Sequence, residues 1–288
     1  MLRFLFAYDG EMCPSHHSSA SLRRELSARN LERAARMEHE STYGAVPSVV
    51  YVEDEQGGHG NFLAASYRRI VADPEWKLRL AKSYAASARV PRSGDRQRHE
   101  LDCGNSSDAL LMNVFCYPRV LCRPELCRIL GVERGLRPAF GVRAGLPMQR
   151  GEVDRTELDM VLGSGEGRLL FEAKLTETGF QTASLQRLLR YEGVGDVFDM
   201  DALPRGANGV QGYQLIRGVL SARHTGSRFV LLCDGRRKDQ HEMWFQVLRS
   251  VMSFELRSRM ALLSWQEVAA TLPPVPRTFL AEKYGIAL

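Results

Sequence analysis

The chain has 288 residues, ample for a buried core in one large domain or two small ones. With 44% hydrophobic and 25% charged residues, it has the composition of an ordinary soluble globular protein. No apolar run approaches the roughly 20 residues of a membrane-spanning helix, so the composition excludes a transmembrane protein. The net charge of +5 permits binding to nucleic acid without requiring it.

The N-terminus and the cysteines predict a cytoplasmic protein. The apolar stretch at residues 1–9 is too short, and turns acidic too early, for a signal peptide. The six cysteines lack the pattern of a secreted disulfide scaffold, so we expect reduced thiols.

The first half of the chain is predicted to be mostly helical. Leucine and alanine recur at helical spacing among arginine and glutamate in the first predicted helix. Asn61 and the Asn105–Asp108 segment have side chains that cap helices, and Pro74 and Pro124 can open them. The predicted helices are 18–37, 61–71, 74–88, 109–115 and 124–130, with a strand at 47–52.

After residues 134–138 the pattern changes to alternating strands and helices, which is typical of an α/β layered core. The predicted strands are 139–142, 156–162, 168–175, 228–233 and 260–263; the predicted helices are 182–191, 209–222 and 240–257. Ser264 and Glu267 have the spacing of a capping box. We therefore divide the chain into a mostly helical region, 1–135, packed on a core, 136–288.

A hairpin in the second half brings charged side chains together. Two short apolar runs flank the Gly-rich turn 163–167. Asp159 lies on the first run, while Glu172 and Lys174 lie on the second. Side chains alternate across a strand, so Glu172 and Lys174 share one face, and the hairpin sets Asp159 beside them. Lysine occurs at only five positions in the whole chain, which argues that Lys174 is not incidental.

Asp159, twelve intervening residues and then Glu172-Ala173-Lys174 resemble the PD-(D/E)XK nuclease superfamily, although Leu158 replaces the usual proline. The resemblance extends over residues 139–263. It implies an α/β fold with a restriction-endonuclease-like core, in which helices flank a central mixed sheet. The mostly helical N-terminal region would be an elaboration of that core.

Two further segments support the resemblance. Several branches of the superfamily have Gln or Tyr on the helix after the hairpin, where this chain has Tyr213 and Gln214. Residues 106–115 resemble a helix of a restriction-endonuclease-like bacterial family, with Asp108 in place of Gln and with Asn113 in common.

Many members add a glutamate from an upstream helix. This chain offers Glu100, Glu125 and Glu152, and none of them stands out. Glu157 lies two residues before Asp159 on the same strand face, so it could be an extra ligand.

The resemblance implies a metal-dependent nuclease that uses Mg²⁺ or Mn²⁺. Asp159 and Glu172 would be the metal ligands, with the Ala173 carbonyl as a third, because Mg²⁺ prefers oxygen ligands. Lys174 would orient the attacking water and stabilise the oxyanion. Gln214 would position water or phosphate, and Glu177 is a weaker candidate.

DNA is the substrate that we expect, in restriction, defence or repair. A homodimer would fit the habit of restriction-type nucleases, and neither a membrane nor a particular protein partner is indicated. Two alternatives remain: a non-catalytic nucleic-acid-binding or scaffold protein on the same fold, or an unrelated α/β protein with an accidental surface ion pair.

Other clusters carry weaker signals. Four cysteines, Cys103, Cys116, Cys122 and Cys127, could hold an iron–sulfur cluster, but their spacing lacks C-x-x-C and favours buried thiols. Another compact group consists of Cys13, His16 and His17, which we interpret as a polar turn. Basic stretches at 89–98 and 236–238 could contact phosphates or simply be solvated.

Overall fold

A computed structural model describes residues 18–42, 48–84, 98–165 and 167–287. Its helices are α1 (Ser19–Ala34), α2 (Ala64–Ala72), α3 (Pro74–Leu80), α4 (Ser107–Phe115), α5 (Pro124–Leu130), α6 (Leu185–Leu188), α7 (Val194–Val197), α8 (Tyr213–Thr225), α9 (Lys238–Ser250), α10 (Phe254–Ser258), α11 (Trp265–Thr271) and α12 (Pro274–Tyr284). Its strands are β1 (His39–Ser41), β2 (Val49–Tyr51), β3 (Pro138–Arg143), β4 (Leu146–Pro147), β5 (Val153–Asp154), β6 (Glu157–Leu162), β7 (Leu169–Ala173), β8 (Thr182–Ala183), β9 (Arg205–Gly206), β10 (Gly209–Gln211), β11 (Arg228–Cys233) and β12 (Met260–Ser264).

The central sheet has five strands in the order β12-β11-β7-β6-β3. β7, β11 and β12 run parallel, whereas β3, β6 and β7 are antiparallel neighbours. The buried runs of β7 and β11 explain their central places, since strands covered on both faces are apolar throughout. This mixed sheet flanked by helices confirms the predicted fold class.

Helices cover both faces of the sheet. On one face, Leu170 and Leu231 share a hydrophobic cluster with side chains of α8 and α9. On the other, Phe171 and Leu232 pack with α1, α4, α5, α11 and α12. Helices from both halves of the sequence therefore bury the same sheet face. The domain division at residue 135 stays a prediction.

Several predicted helices have different bounds in the structure. The helix predicted at 209–222 begins as strand β10, and α8 starts only at Tyr213. Gly212 between them has a left-handed backbone, with φ 74°, which separates the strand from the helix. The 182–191 segment likewise starts as β8, which pairs with β10. The helix predicted at 240–257 is two helices, α9 and α10, separated at Val251.

In the first half, Asn61 does not cap α2 as predicted, because its amide donates to the carbonyl oxygens of Leu101 and Cys103 instead. α3 ends at Leu80, and residues 81–84 of its predicted span are not helical; residues 85–88 lie outside the described residues. The metal-like trio at residues 13–17 and most of the basic stretch 89–98 also lie outside them. Among the described residues, no helix has the length and apolarity needed to cross a membrane.

Candidate active site

Asp159 lies where the pairing of β6 with β7 stops. Met160 pairs with Phe171, so the next step in the register sets Asp159 opposite Glu172. There the Asp159 side chain takes the place of a backbone acceptor of the β6–β7 pairing. Its Oδ2 accepts a hydrogen bond of 2.7 Å from the Ala173 N–H. The hairpin thus brings the Asp159 carboxylate beside the backbone that follows Glu172, and Glu172 is close enough to raise the Asp159 pKa.

Glu172 and Lys174 form a buried ion pair. The Lys174 Nζ lies 2.7 Å from Glu172 Oε1, and the two side chains are only 7% and 5% exposed. The backbone of Lys174 is fixed on both sides: its N–H donates to Leu232 O, and its carbonyl accepts from the Trp265 indole. A solvated surface pair is therefore the wrong description of this E-x-K segment.

The electrostatics of the pair follow from this crowding. Burial raises the pKa of Asp159 well above its usual range, and the nearby carboxylates of Glu172 and Asp108 add to the effect. Burial opposes the charge on Lys174, but the carboxylates of Glu172, Glu177 and Asp159 outweigh it and raise the Lys174 pKa. Lys174 is consequently a permanent cation among carboxylates.

These residues open onto a cleft of about 970 Å³. Asp159, Ala173, Lys174 and Gln214 all line it. Glu172 instead faces a small cavity behind, which it shares with Gln214. The Gln214 side chain has no hydrogen-bond partner within the described part of the chain, so its amide is available to a bound molecule.

Tyr213, the neighbour of Gln214, points elsewhere. Its ring is buried, and its hydroxyl lies 2.6 Å from the Tyr191 hydroxyl. Tyr191 in turn donates a hydrogen bond to Asp154. Of the two residues that matched the superfamily on this helix, Gln214 lines the cleft and Tyr213 packs behind it.

An acidic residue that the sequence analysis did not assign to the site reaches the cleft from α4. Asp108 is buried, lines the cleft and contacts Lys82 and Arg79, whose charges lower its pKa against the opposing effect of burial. Arg79 also pairs with Glu157 at 2.7 Å. This ion pair engages the carboxylate that the sequence offered as an extra metal ligand. The resemblance of residues 106–115 to a helix of a restriction-endonuclease-like family already pointed to Asp108. Its pairing with Lys82 and Arg79 is a tertiary contact that the sequence does not reveal.

The other upstream glutamates differ in position. Glu100 lines the cleft. Glu125 pairs with Arg123 at 3.7 Å, and Glu152 pairs with Arg190; neither lines the cleft. Asn113 has a structural contact, because its Oδ1 accepts from the Leu63 N–H at the start of α2.

A divalent metal fits the oxygen donors at the hairpin. Asp159 and Glu172 supply carboxylates. The Ala173 carbonyl points to the Asp159 side of β7, because its own N–H does and the two groups of a strand residue share a side. Among described residues, no three acidic, histidine or cysteine side chains form a metal-binding group, so Mg²⁺ would complete its shell with waters and phosphate. The four cysteines considered for a cluster are likewise free thiols and form no such group in the described chain.

The five-stranded mixed sheet, its helical layers and the charged hairpin define a restriction-endonuclease-like protein. The sequence model of a family described as "Restriction Endonuclease associating with ARP" matches residues 28–285. The chain belongs to this family. Searches of curated proteins and of solved structures found no match.

Proposed function

We propose that the chain is a metal-dependent nuclease of the PD-(D/E)XK type that hydrolyses phosphodiester bonds in DNA. The observation that carries the proposal is the hairpin constellation. Asp159 accepts the Ala173 N–H at 2.7 Å, and Lys174 is held 2.7 Å from Glu172 at the floor of an open cleft. Burying a cation beside two carboxylates costs folding free energy. Such an arrangement is therefore expected where the charged groups serve a function. Membership of a restriction endonuclease family supports the same assignment.

Asp159, Glu172 and the Ala173 carbonyl would hold Mg²⁺ or Mn²⁺. When bound, such an ion neutralises developing charge and acidifies a water molecule. Asp159 is kept in place by the Ala173 N–H, so it would need no reorganisation to bind.

Lys174 would act on the water and the phosphate. Its ammonium stays charged because the carboxylates around it raise its pKa. It lines the cleft, so it can donate hydrogen bonds to the attacking oxygen and to the phosphate oxygens as negative charge develops. Gln214 would orient the water or phosphate through its unengaged amide.

The cleft also fits a polyanionic substrate through Lys82, which lines the same cleft at its α3 side. Its ammonium contacts Asp108 and is half-exposed, so a phosphate could share it. Action in restriction, defence or repair is part of the proposal, and so is a homodimer that cuts both strands.

Cleavage of plasmid, linear duplex and single-stranded DNA with Mg²⁺ or Mn²⁺ tests the proposal. Wild type is compared with Lys174→Ala and, as a matched control, with Lys77→Ala, an exposed lysine on α3. We expect Lys174→Ala to lose about 100-fold or more in rate, the usual cost of one transition-state donor. Lys77→Ala should cut like wild type, and Mg²⁺ removal should abolish cutting.

Two outcomes contradict the proposal. Equal cutting by wild type and a folded Lys174→Ala protein would show that the activity has another source. An inactive wild type that binds Mg²⁺ by calorimetry only as weakly as Asp159→Asn would favour the binding or scaffold protein instead.

A further inference from the structure

Two chemically different sets of residues line the cleft. One set, which we call the charged floor, contains Asp159, Lys174, Asp108 and Lys82. The other set, which we call the amide wall, is neutral and consists of Phe180, Gln181, Thr182, Gln211, Gln240 and Met243; the acidic residues Glu177 and Asp239 line the cleft as well. Phosphates are bound by cations, so a wall of amides and hydroxyls is suited to a different part of a nucleic acid.

Gln240 in the first turn of α9 carries an unsatisfied acceptor. The residue is only 1% exposed and lines the cleft. Its Nε2 donates weakly to Glu177 O at 3.4 Å, which fixes the orientation of the amide. The opposite atom, Oε1, is buried and has no hydrogen-bond partner among the described residues. A buried acceptor without a partner lowers stability, so a bound molecule that supplies a donor would be favoured at this atom.

Two further glutamines of the cleft lining lie in or next to the small sheet β8-β10-β9. Gln211 pairs directly opposite Thr182, so both side chains project from the same face. Gln181, just before β8, is exposed and has φ +62°, a conformation rare for residues other than glycine. That backbone is held because the Tyr213 N–H donates to Gln181 O. Unusual backbone of this kind is found preferentially at functional sites.

We infer that the amide wall reads the edges of nucleobases, adenine above all, next to the phosphate that lies on the charged floor. A glutamine amide offers one donor group and one acceptor, which match adenine N7 and N6. The unpaired Gln240 Oε1 would accept from the exocyclic amine. The inference rests on the proposed function, since it places the sugar–phosphate backbone at the hairpin.

The test separates base reading from cleavage. Asp159→Asn protein, which keeps its fold but lacks a metal ligand, is incubated with random-sequence duplex and single-stranded DNA libraries, and the bound DNA is sequenced. The wall variants in that background are Gln240→Met, Gln211→Ala and Gln181→Gly, the last of which suits a positive φ. The matched control is Gln186→Ala, an exposed glutamine on α6 outside the cleft.

We expect the parent protein to enrich adenine at one or more positions. Each wall variant should reduce that preference about fivefold or more, while the salt dependence of binding stays unchanged because phosphate contacts are intact. Gln186→Ala should enrich like the parent. Hypoxanthine in place of adenine, which lacks the amine, should weaken parent binding and leave Gln240→Met binding unchanged.

Three results overturn the inference: no base enrichment by the parent, no nucleic acid binding at all, or equal enrichment by parent and wall variants. Failure of the proposed function has a different signature. Wild type would then cut no DNA with Mg²⁺, while the adenine preference and its loss in Gln240→Met would still be measured.

Discussion

At the scale of single residues, the buried carboxylates of the site lower the stability of the folded protein. Asp159 lies beside Glu172 and near Asp108, and its pKa is raised because its charged form is buried among like charges. A bound cation or a proton would relieve the repulsion among these carboxylates. Functional sites commonly carry such a cost, which the rest of the fold offsets.

Replacing Asp159 by asparagine should therefore stabilise the protein while it abolishes cleavage. The asparagine oxygen can still accept the Ala173 N–H, and the repulsion with Glu172 and Asp108 is gone. With a chelator at pH 8, we expect a melting temperature at least about 2 °C higher, equivalent to a gain of roughly 1 kcal/mol in a chain of this size. Exposed Asp201→Asn is the control and should change neither property. A lower melting temperature for Asp159→Asn would show that the carboxylate is net stabilising.

Some site residues could be predicted from the sequence and others could not. Glu172 and Lys174 are two residues apart at the end of one strand, and the hairpin register brings Asp159 opposite Glu172, so both relations follow from local sequence. Arg79 and Lys82 reach the site only through the packing of α3, about 80 residues before the hairpin. No local period marks such contacts, and for the same reason Tyr213 could not be distinguished from Gln214.

At the scale of elements, the approach of α3 to the sheet depends on one glycine in β3. Gly141 has φ +65°, and a Cβ there would lie 2.3 Å from the Arg79 guanidinium. The missing side chain lets Arg79 reach both Glu157 and Asp108. β3 thus shapes the acidic edge of the cleft without contributing a ligand.

Gly141→Ala should displace Arg79 and impair cleavage. Gly135→Ala is the matched control: its φ is +82°, but an added Cβ would meet nothing within 4 Å. Both variants incur the backbone cost of about 1–2 kcal/mol for a left-handed residue. Gly141→Ala should lose more unfolding free energy, measured in urea, and more cleavage rate than Gly135→Ala. That excess measures the contribution of the Arg79 contacts. Equal losses in the two variants would show that the contact is unimportant.

Elements with clear boundary residues or a continuous apolar run were predicted better than elements of two or three residues. The strand at 228–233 has the bounds of β11, and the helix at 124–130 those of α5 with its C-terminal Gly131. β8 has two residues and β10 three, too few to show a period, so their segments were predicted as helices. α12 was not predicted, since Pro274 and Pro276 interrupt a helical pattern although the first is favourable at a helix start.

At the scale of the whole molecule, the C-terminal helix fastens the early part of the chain to the rest. Lys283 on α12 is fully buried and donates to the Gly104 carbonyl at 2.6 Å, just before the cap of α4. Its Nζ also lies 4.0 Å from the centre of the Tyr284 ring. α4 carries Asp108, so this buried amine supports the segment that leads into a helix of the site.

The buried amine predicts a particular pH dependence of stability. Burial, with a smaller effect of Arg33, holds the pKa of Lys283 well below its ordinary value. Between that pKa and the unfolded value near 10.4, the unfolded chain binds a proton that the folded chain does not. Stability therefore rises with pH across this interval and is lost as pH falls. Burial raises the pKa of Tyr51 and of Cys103 to about 12. The Cys103 contribution therefore falls with pH above its unfolded value near 8.5, opposite to that of Lys283. Because Cys103 is present in wild type and variant alike, the difference in stability between the two proteins isolates Lys283.

Lys283→Met should remove this slope. Urea unfolding at pH 7, 8 and 9 is expected to show wild-type stability increasing relative to the variant by up to about 1.4 kcal/mol per pH unit, the limit for one proton. Exposed Lys77→Met should run parallel to wild type, because that lysine is solvated in both states. A constant difference between wild type and Lys283→Met across the three pH values would mean that the folded protein keeps Lys283 charged. α12 would then be held by an ammonium–carbonyl contact to α4 whose strength does not depend on pH between 7 and 9.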